Sequence, residues 1–341
     1  MYAVTNPQVL SVDVGYGNTK YVTSYPENGE ITCDLFPSIA VRPRKNVISA
    51  GLSDQSHTVI VEVNGQLYEV GKGTEDLGAA RQAKQCTNEY INTDQYMAFL
   101  KGALYFAKAS NISLLAVGLP VQNMRSKMGE LRDMLIGQHE LVPGHTVNIQ
   151  DVVVYPQPLG GLWYQGVTGG VWDILKKGRN LVIDPGYFTL DWLTTKNLQP
   201  NVVRSGSFPG GMFSILEMVA GEIEQEEGLA SGDLSLTDLD TGLRGGDFRI
   251  WGHHYNLFKF SDLISRTILH SLNDMMSSVG KDIDIDNIVV VGGAAGIFGP
   301  VIKHRFPKHR VYTVQDPIYG NVKGFQFMAL QDINQRRAAN G

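Results

Sequence analysis

Two aspartates at the ends of strand-like runs are the residues best placed to do chemistry. The first stands in Asp13-Val14-Gly15-Tyr16-Gly17-Asn18-Thr19-Lys20. Gly15 and Gly17 let a backbone turn tightly and approach a ligand with no Cβ in the way. Successive N–H groups in such a turn cradle anionic oxygens, and the Lys20 ammonium is a point charge suited to phosphate. A carboxylate repels phosphate, so Asp13 belongs here only with a cation or water between them. Magnesium, which keeps several of its waters, fits that place. The second stands in Asp184-Pro185-Gly186-Tyr187-Phe188-Thr189-Leu190-Asp191. It offers another carboxylate, another glycine and a hydroxyl, and two such hairpins facing one cleft would grip phosphates from both sides. The plainer account is a pair of ordinary hairpins with solvated charges.

A third segment, Ile288-Val289-Val290-Val291-Gly292-Gly293-Ala294-Ala295-Gly296, runs a β-branched strand into a glycine turn and then a helix, where a base, sugar or phosphate can lie. With the strand at 311–314 and Asp316, it also matches a dinucleotide-binding unit of a nicotinamide-dependent dehydrogenase. That alternative leaves both Asp-x-Gly hairpins unexplained. Gly65 to Gly73 imitates a phosphate loop, but five residues separate Gly65 from Gly71 where four are needed, and Gly73 stands where Ser or Thr should hold magnesium.

The elements that must position these residues read as alternating strands and helices. Strands are expected at 9–14, 59–63, 67–70, 112–118, 151–155, 181–184, 187–193, 201–205, 288–291 and 311–314, with a type I′ turn at Asn64-Gly65. Three- and four-residue apolar spacing predicts helices over 94–108, capped by Thr93, and over 212–227 and 261–279. The fold class is therefore α/β with mixed sheets. The aspartates lie 184 − 13 = 171 positions apart in 341, so the chain reads as two copies of one domain.

Composition narrows the function. Hydrophobic residues at 43% and charged residues at 18% suit a core-forming protein. A net charge of −5 argues against coating DNA unaided. The two cysteines, Cys33 and Cys86, give no disulfide framework and suit a reducing cytoplasm. The N-terminal MYAVTNPQVL lacks a signal-peptide pattern, and no run reaches the ~20 apolar residues of a membrane span. His253-His254, the basic run Lys303 to Arg310 and the acids Glu222, Glu224, Glu226 and Glu227 read as solvated surface.

The order of the three motifs resembles the actin, sugar-kinase and heat-shock-chaperone ATPase superfamily, with its phosphate 1, phosphate 2 and adenosine motifs. Within it the chain resembles the bacterial actin-like proteins of the ParM/StbA kind, which segregate plasmids; Phe36-Pro37-Ser38 and Tyr68-Glu69-Val70-Gly71 also resemble segments of that group. The resemblance implies two duplicated RNase H-like (actin-like) domains with mixed sheets flanking a nucleotide cleft. The expected domains are 1–156 with 315–341 returning to it, and 157–314. It implies that Asp13 organises magnesium waters, that Gly15, Tyr16, Gly17 and Asn18 form the cradle, and that Lys20 reaches the phosphates. Asp184 would stand near the attacking water and also touch magnesium through water, with Gly186 and Tyr187 beside the γ-phosphate. Gln157, after Val154-Tyr155-Pro156, would orient the attacking water. Gly292, Gly293 and Gly296 would line the adenosine turn. Gly210 and Gly211 would open the element over base and ribose, with Glu217 as a contact. Asn321 and Gly324 would begin the second interdomain crossing. Tyr16 and Tyr187 depart from the family pattern, which has a Ser and a Gly there. The implied function is slow hydrolysis of ATP, or GTP, with Mg2+, coupled to filament assembly and to DNA through an adaptor of ParR type, with no direct sequence-specific DNA binding. A small-molecule kinase of the same fold is the alternative.

Overall fold

The computed structural model describes residues 5–24, 30–43, 57–77 and 90–340; Cys86 and residues 1–4 lie outside them. The chain forms two compact units, residues 1–164 with 319–341, and residues 165–318.

The first unit is built on a five-stranded sheet in the order Val152–Pro156, Leu114–Leu119, Val9–Val14, Asn18–Ser24, Thr32–Pro37. The last three run as an antiparallel meander, and the first two add in parallel. Every residue of Val9–Val14 is buried. This strand, parallel to one neighbour and antiparallel to the other, sits at the centre of the sheet and is covered on both faces, so it reads as a near-continuous apolar run. Its two polar members therefore need partners. Ser11 Oγ donates to Gln326 Oε1 at 2.8 Å, on the terminal helix Gly320–Asn340; Asp13 is treated below. Helix Asp94–Phe106 packs Tyr96, Phe99, Leu100, Ala103 and Leu104 into this core. Thr93 caps it as expected, accepting from Tyr96 N at 3.2 Å. Hairpin Thr58–Val63/Gln66–Gly71 turns at Asn64-Gly65 with φ of 50° and 75°, both positive as a type I′ turn requires.

The second unit repeats the plan. Arg179–Pro185 and Leu190–Lys196 pair antiparallel, Gly206–Phe208 adds antiparallel to the latter, and Asn287–Val290 and Arg310–Thr313 add in parallel on the other side. Helices Met212–Glu227 and Ser261–Val279 have the expected bounds and close the core. The pairing register itself is duplicated. Val12↔Tyr21, Asp13↔Lys20 and Val14↔Thr19 become Ile183↔Trp192, Asp184↔Asp191 and Pro185↔Leu190, each shifted by the same 171 positions.

Several expectations need correction. The 201–205 segment is no strand: Val202–Arg204 forms one 3-10 turn. Arg204 holds it off the sheet by donating to Val279 O and Lys281 O at 2.7 and 2.8 Å and to Asp284, leaving Val202 and Val203 exposed. The 187–193 strand starts only at Leu190, because residues 186–189 close the hairpin tip. The 112–118 run splits at Ser113 into a bridge to His145–Ile149 and the strand Leu114–Leu119. Glu224 does not face water. It is buried and accepts from Gly232 N at 2.7 Å and Leu234 N at 3.3 Å, tying down the loop after its helix. His253 and His254 are exposed as expected, His254 paired with Asp247. Phe306, the aromatic of the basic run, belongs to the core.

Candidate functional site

In the first unit, Asp13 is almost fully buried, at 2% exposure, where a lone carboxylate would be costly. Each oxygen has a partner. Lys20 Nζ approaches Oδ2 at 3.2 Å from the facing register position, and Gln157 Nε2 donates to Oδ1 at 2.8 Å. Gln157 is thus no solvated loop residue. It opens helix Gln157–Thr168, and the bond from its amide nitrogen to Asp13 fixes which way the amide faces, leaving Oε1 as its acceptor. The Lys20 ammonium lies over the turn, 3.0 Å from where a Gly15 Cβ would be. Gly15 N closes the tip by donating to Asn18 O at 3.2 Å.

Two side chains brace this loop. Ser38 Oγ donates to Gly15 O at 2.6 Å and bonds Thr19 Oγ1 at 3.0 Å, while Ser38 N donates to Gly17 O at 2.9 Å. The Tyr16 ring packs on Tyr90 with centroids 4.5 Å apart. Tyr96 adds a fully buried hydroxyl with no hydrogen-bond partner among the described residues. Burial, and then the charge of Asp13, push its pKa upward, so it stays protonated beside that carboxylate.

In the second unit, Asp184 ends its strand buried. The tip closes as the first does, Gly186 N donating to Thr189 O at 2.8 Å, and Thr189 Oγ1 donates to Asp191 Oδ2 at 2.5 Å. Helix Met212–Glu227 docks end-on: Gly211 N, Met212 N and Phe213 N donate to the carbonyls of Phe188, Gly186 and Tyr187. A Cβ on Gly211 would lie 2.7 Å from Gly186 O, so the protein's own backbone uses that glycine. Tyr187 packs on Phe188 and Phe213. Burial, then the charges of the half-buried Asp240 and the exposed Glu217, push its phenol up to about 12.

The Gly292 turn is fastened to the Asp184 hairpin. Val291 N donates to Ile183 O at 3.0 Å and Ala294 N to Pro185 O at 2.9 Å. Gly292 has φ +98°, and a Cβ there would fall 2.0 Å from Asp184 Oδ1. Gly293 and Gly296 have only open space or ordinary contacts around a would-be Cβ. Arg244 Nη1 donates to Gly293 O at 2.7 Å while its Nε holds Asp240 at 2.9 Å. The strand–turn–helix–strand unit that suggested a dehydrogenase is real. Its leading glycine, however, makes room for a carboxylate of the protein, and its sheet carries an antiparallel half.

Sequence reasoning overlooked Tyr96, Asp240 and Arg244. The i,i+4 Asp240–Arg244 spacing was a visible signal of a pair, though not of its reach to Gly293. Tyr96 reads only as a core position.

Comparisons with known proteins agree with this geometry. The profile of the actin-like proteins' N-terminal domain matches residues 11–160, and that of the C-terminal part of the archaeal actin homologue, MreB-like, matches residues 182–304. The chain is an actin-like protein. Solved structures share the fold over nearly its whole length. A 15-stranded ParM filament from Clostridium botulinum is 19% identical, with 96% of this chain and 100% of that one covered and a TM-score of 0.73. Ta0583, an archaeal actin homologue solved with ADP, is 17% identical, with 95% and 99% covered and a TM-score of 0.72. An AlfA filament bound to AMPPNP is 18% identical, with 97% and 99% covered and a TM-score of 0.63. A search of curated protein sequences found no match. As an actin-like protein the chain carries its duplicated hairpins in the two regions that the two profiles cover. No helix among the described residues is long and apolar enough to cross a membrane.

Proposed function

We propose that this chain binds Mg-ATP, with GTP as the alternative nucleotide, hydrolyses it slowly, and assembles into nucleotide-dependent filaments in the cytoplasm. The filaments would separate plasmid copies through a DNA-bound adaptor of ParR type, as proteins of the ParM/StbA kind do. The observation that carries the reading is the pair of equivalent hairpins, each ending in a buried aspartate, with Gln157 bonded to the first. The ADP and AMPPNP bound in two of the similar structures, and the filaments that two of them form, support it.

The residues fit magnesium held through its waters. Among the described residues no cluster of three or more carboxylate, His or Cys ligands could hold a metal directly, whereas Asp13 and Asp184 each present one strand-end carboxylate to order such waters. Magnesium would neutralise charge on the phosphate oxygens. Phosphoryl transfer asks the protein mainly for positioning and electrostatics. Gln157 is too weak a base to take a proton; with Nε2 anchored to Asp13, its Oε1 accepts from the attacking water and orients it. Gly15 and Gly17 let backbone approach the phosphates, Lys20 supplies a positive charge, and Gly293 and Gly296 leave room for adenosine. Loss of the γ-phosphate after hydrolysis would shift the population away from the assembled state.

Asp184→Ala tests this. The variant should bind fluorescent ATP as the parent does, lose about 10²-fold or more in phosphate release, and form filaments that persist. Unchanged hydrolysis would overturn the assignment.

A further inference from the structure

We infer that the terminal helix sets the position of the water-orienting glutamine, through a wedge formed by Phe325 over Gly118; the inference rests on the role proposed for Gln157. Gly118 lies in the strand Leu114–Leu119, between the strand that carries Asp13 and the strand that leads into Gln157, and its register partner is Tyr155. A Cβ on Gly118 would sit 2.7 Å from both Cε2 and Cζ of Phe325 and 2.8 Å from Cγ of Gln157. The ring edge and the glutamine stem therefore fill the place of a side chain from two directions.

Phe325 has nowhere else to go. It is fully buried, its ring stacks on Tyr155 at 5.8 Å, and its Cε1 lies 2.8 Å from where a Gly160 Cβ would be. The same helix grips both partners of the Asp13–Gln157 bond. Gln326 accepts from Ser11 and donates to Val9 O at 3.1 Å, in the strand that ends at Asp13. Gly324 presses against Gly160 O, and Asn321 Oδ1 accepts from Gly161 N at 3.1 Å, in the helix that Gln157 opens. Close-packed interiors transmit such constraints, because a ring held on several sides cannot yield. Gln157 is only half-buried, so an atom added at Gly118 displaces the glutamine. Phe325 and Gly118 are thus positioning residues that touch neither nucleotide nor water.

The experiment measures turnover, affinity for a fluorescent ATP analogue and thermal stability of the full chain in Gly118→Ala, Phe325→Leu, the double variant and Gln157→Ala. Displacing Gln157 by about 1 Å should slow Gly118→Ala by about tenfold to a hundredfold, with affinity within about twofold. Adding Phe325→Leu frees the space that the new methyl needs, a nearly volume-conserving exchange, and should bring turnover back to within about threefold of the parent. A purely structural glycine would lower affinity and turnover together, and the double variant would be worse still; that result overturns the inference. Slow Gln157→Ala with full-rate Gly118→Ala defeats the inference and leaves the role of Gln157 standing. Full-rate Gln157→Ala defeats both. If Gly118→Ala does not fold, Phe325→Leu alone decides: several-fold slower turnover at parental affinity supports the wedge, and parental turnover refutes it.

Discussion

Replacing Gly292 with alanine should damage the fold, whereas the same change at Gly293 should not. Gly292 has φ +98°, where a side chain costs about 1–2 kcal/mol. Its new Cβ would fall 2.0 Å from Asp184 Oδ1 and 2.9 Å from Pro185 O, so the buried carboxylate must move by more than an ångström. Overpacking of this kind costs about 1–3 kcal/mol. The sum, about 2–5 kcal/mol, is a large share of a domain's net stability. With a urea slope near 2 kcal/mol per molar, the midpoint for unfolding of residues 165–318 should fall by about 1–2.5 M. At Gly293 the nearest atom to a Cβ is Ile318 Cγ1 at 3.7 Å, so Gly293→Ala should shift stability by less than about 0.5 kcal/mol. Any loss of nucleotide affinity in Gly293→Ala then reports approach of the ligand to that turn. The assay is urea unfolding followed by tryptophan fluorescence, with titration of a fluorescent nucleotide. Equal stability of the two variants would refute the geometry argued for Gly292; unchanged affinity in Gly293→Ala would refute the turn as a ligand surface.

Glu224→Ala removes a buried carboxylate that accepts from Gly232 N and Leu234 N, and should cost about 2–4 kcal/mol in urea unfolding while raising hydrogen exchange in 229–234. Parental exchange there would contradict that role. Asp284 is held down to about 2 from its ordinary 3.8 by Arg204 first and Arg179 after it. A depressed carboxyl gives stability that is present above its unfolded pKa and lost as pH falls through the folded one, so the window is about pH 4 to 2. Solvent screening of this half-exposed cluster limits the effect to about 1 kcal/mol, and Asp284→Asn should flatten the acid limb of a stability–pH curve.

The duplication was legible because it is written in the hairpins: the 171-position repeat of Asp-x-Gly became a repeat of strand register and tip closure. The long amphipathic helices were legible for the usual reason of periodicity. Helix Gln157–Thr168 was not, because Pro158, Gly160 and Gly161 argue against a helix. Proline is tolerated in a first turn, and Gly160 is there for the crossing with Gly324. Glu224 was misread because its helix is amphipathic and its neighbours Glu222, Glu226 and Glu227 are wet; the loop that needed its carboxylate follows the helix and carries no polar pattern of its own. Likewise nothing in the chain announces that Tyr96, 83 residues from Asp13, stands beside that carboxylate.

Nucleotide-driven assembly is the central claim, and light scattering with parallel phosphate release, in Mg-ATP without any added acceptor, tests it most directly. The account predicts scattering that appears on adding Mg-ATP above a critical protein concentration, filaments by negative stain, and phosphate release per molecule that rises with protein concentration. Flat scattering at all concentrations, with nucleotide consumed only when a small hydroxyl compound is supplied, would contradict it and point to a kinase.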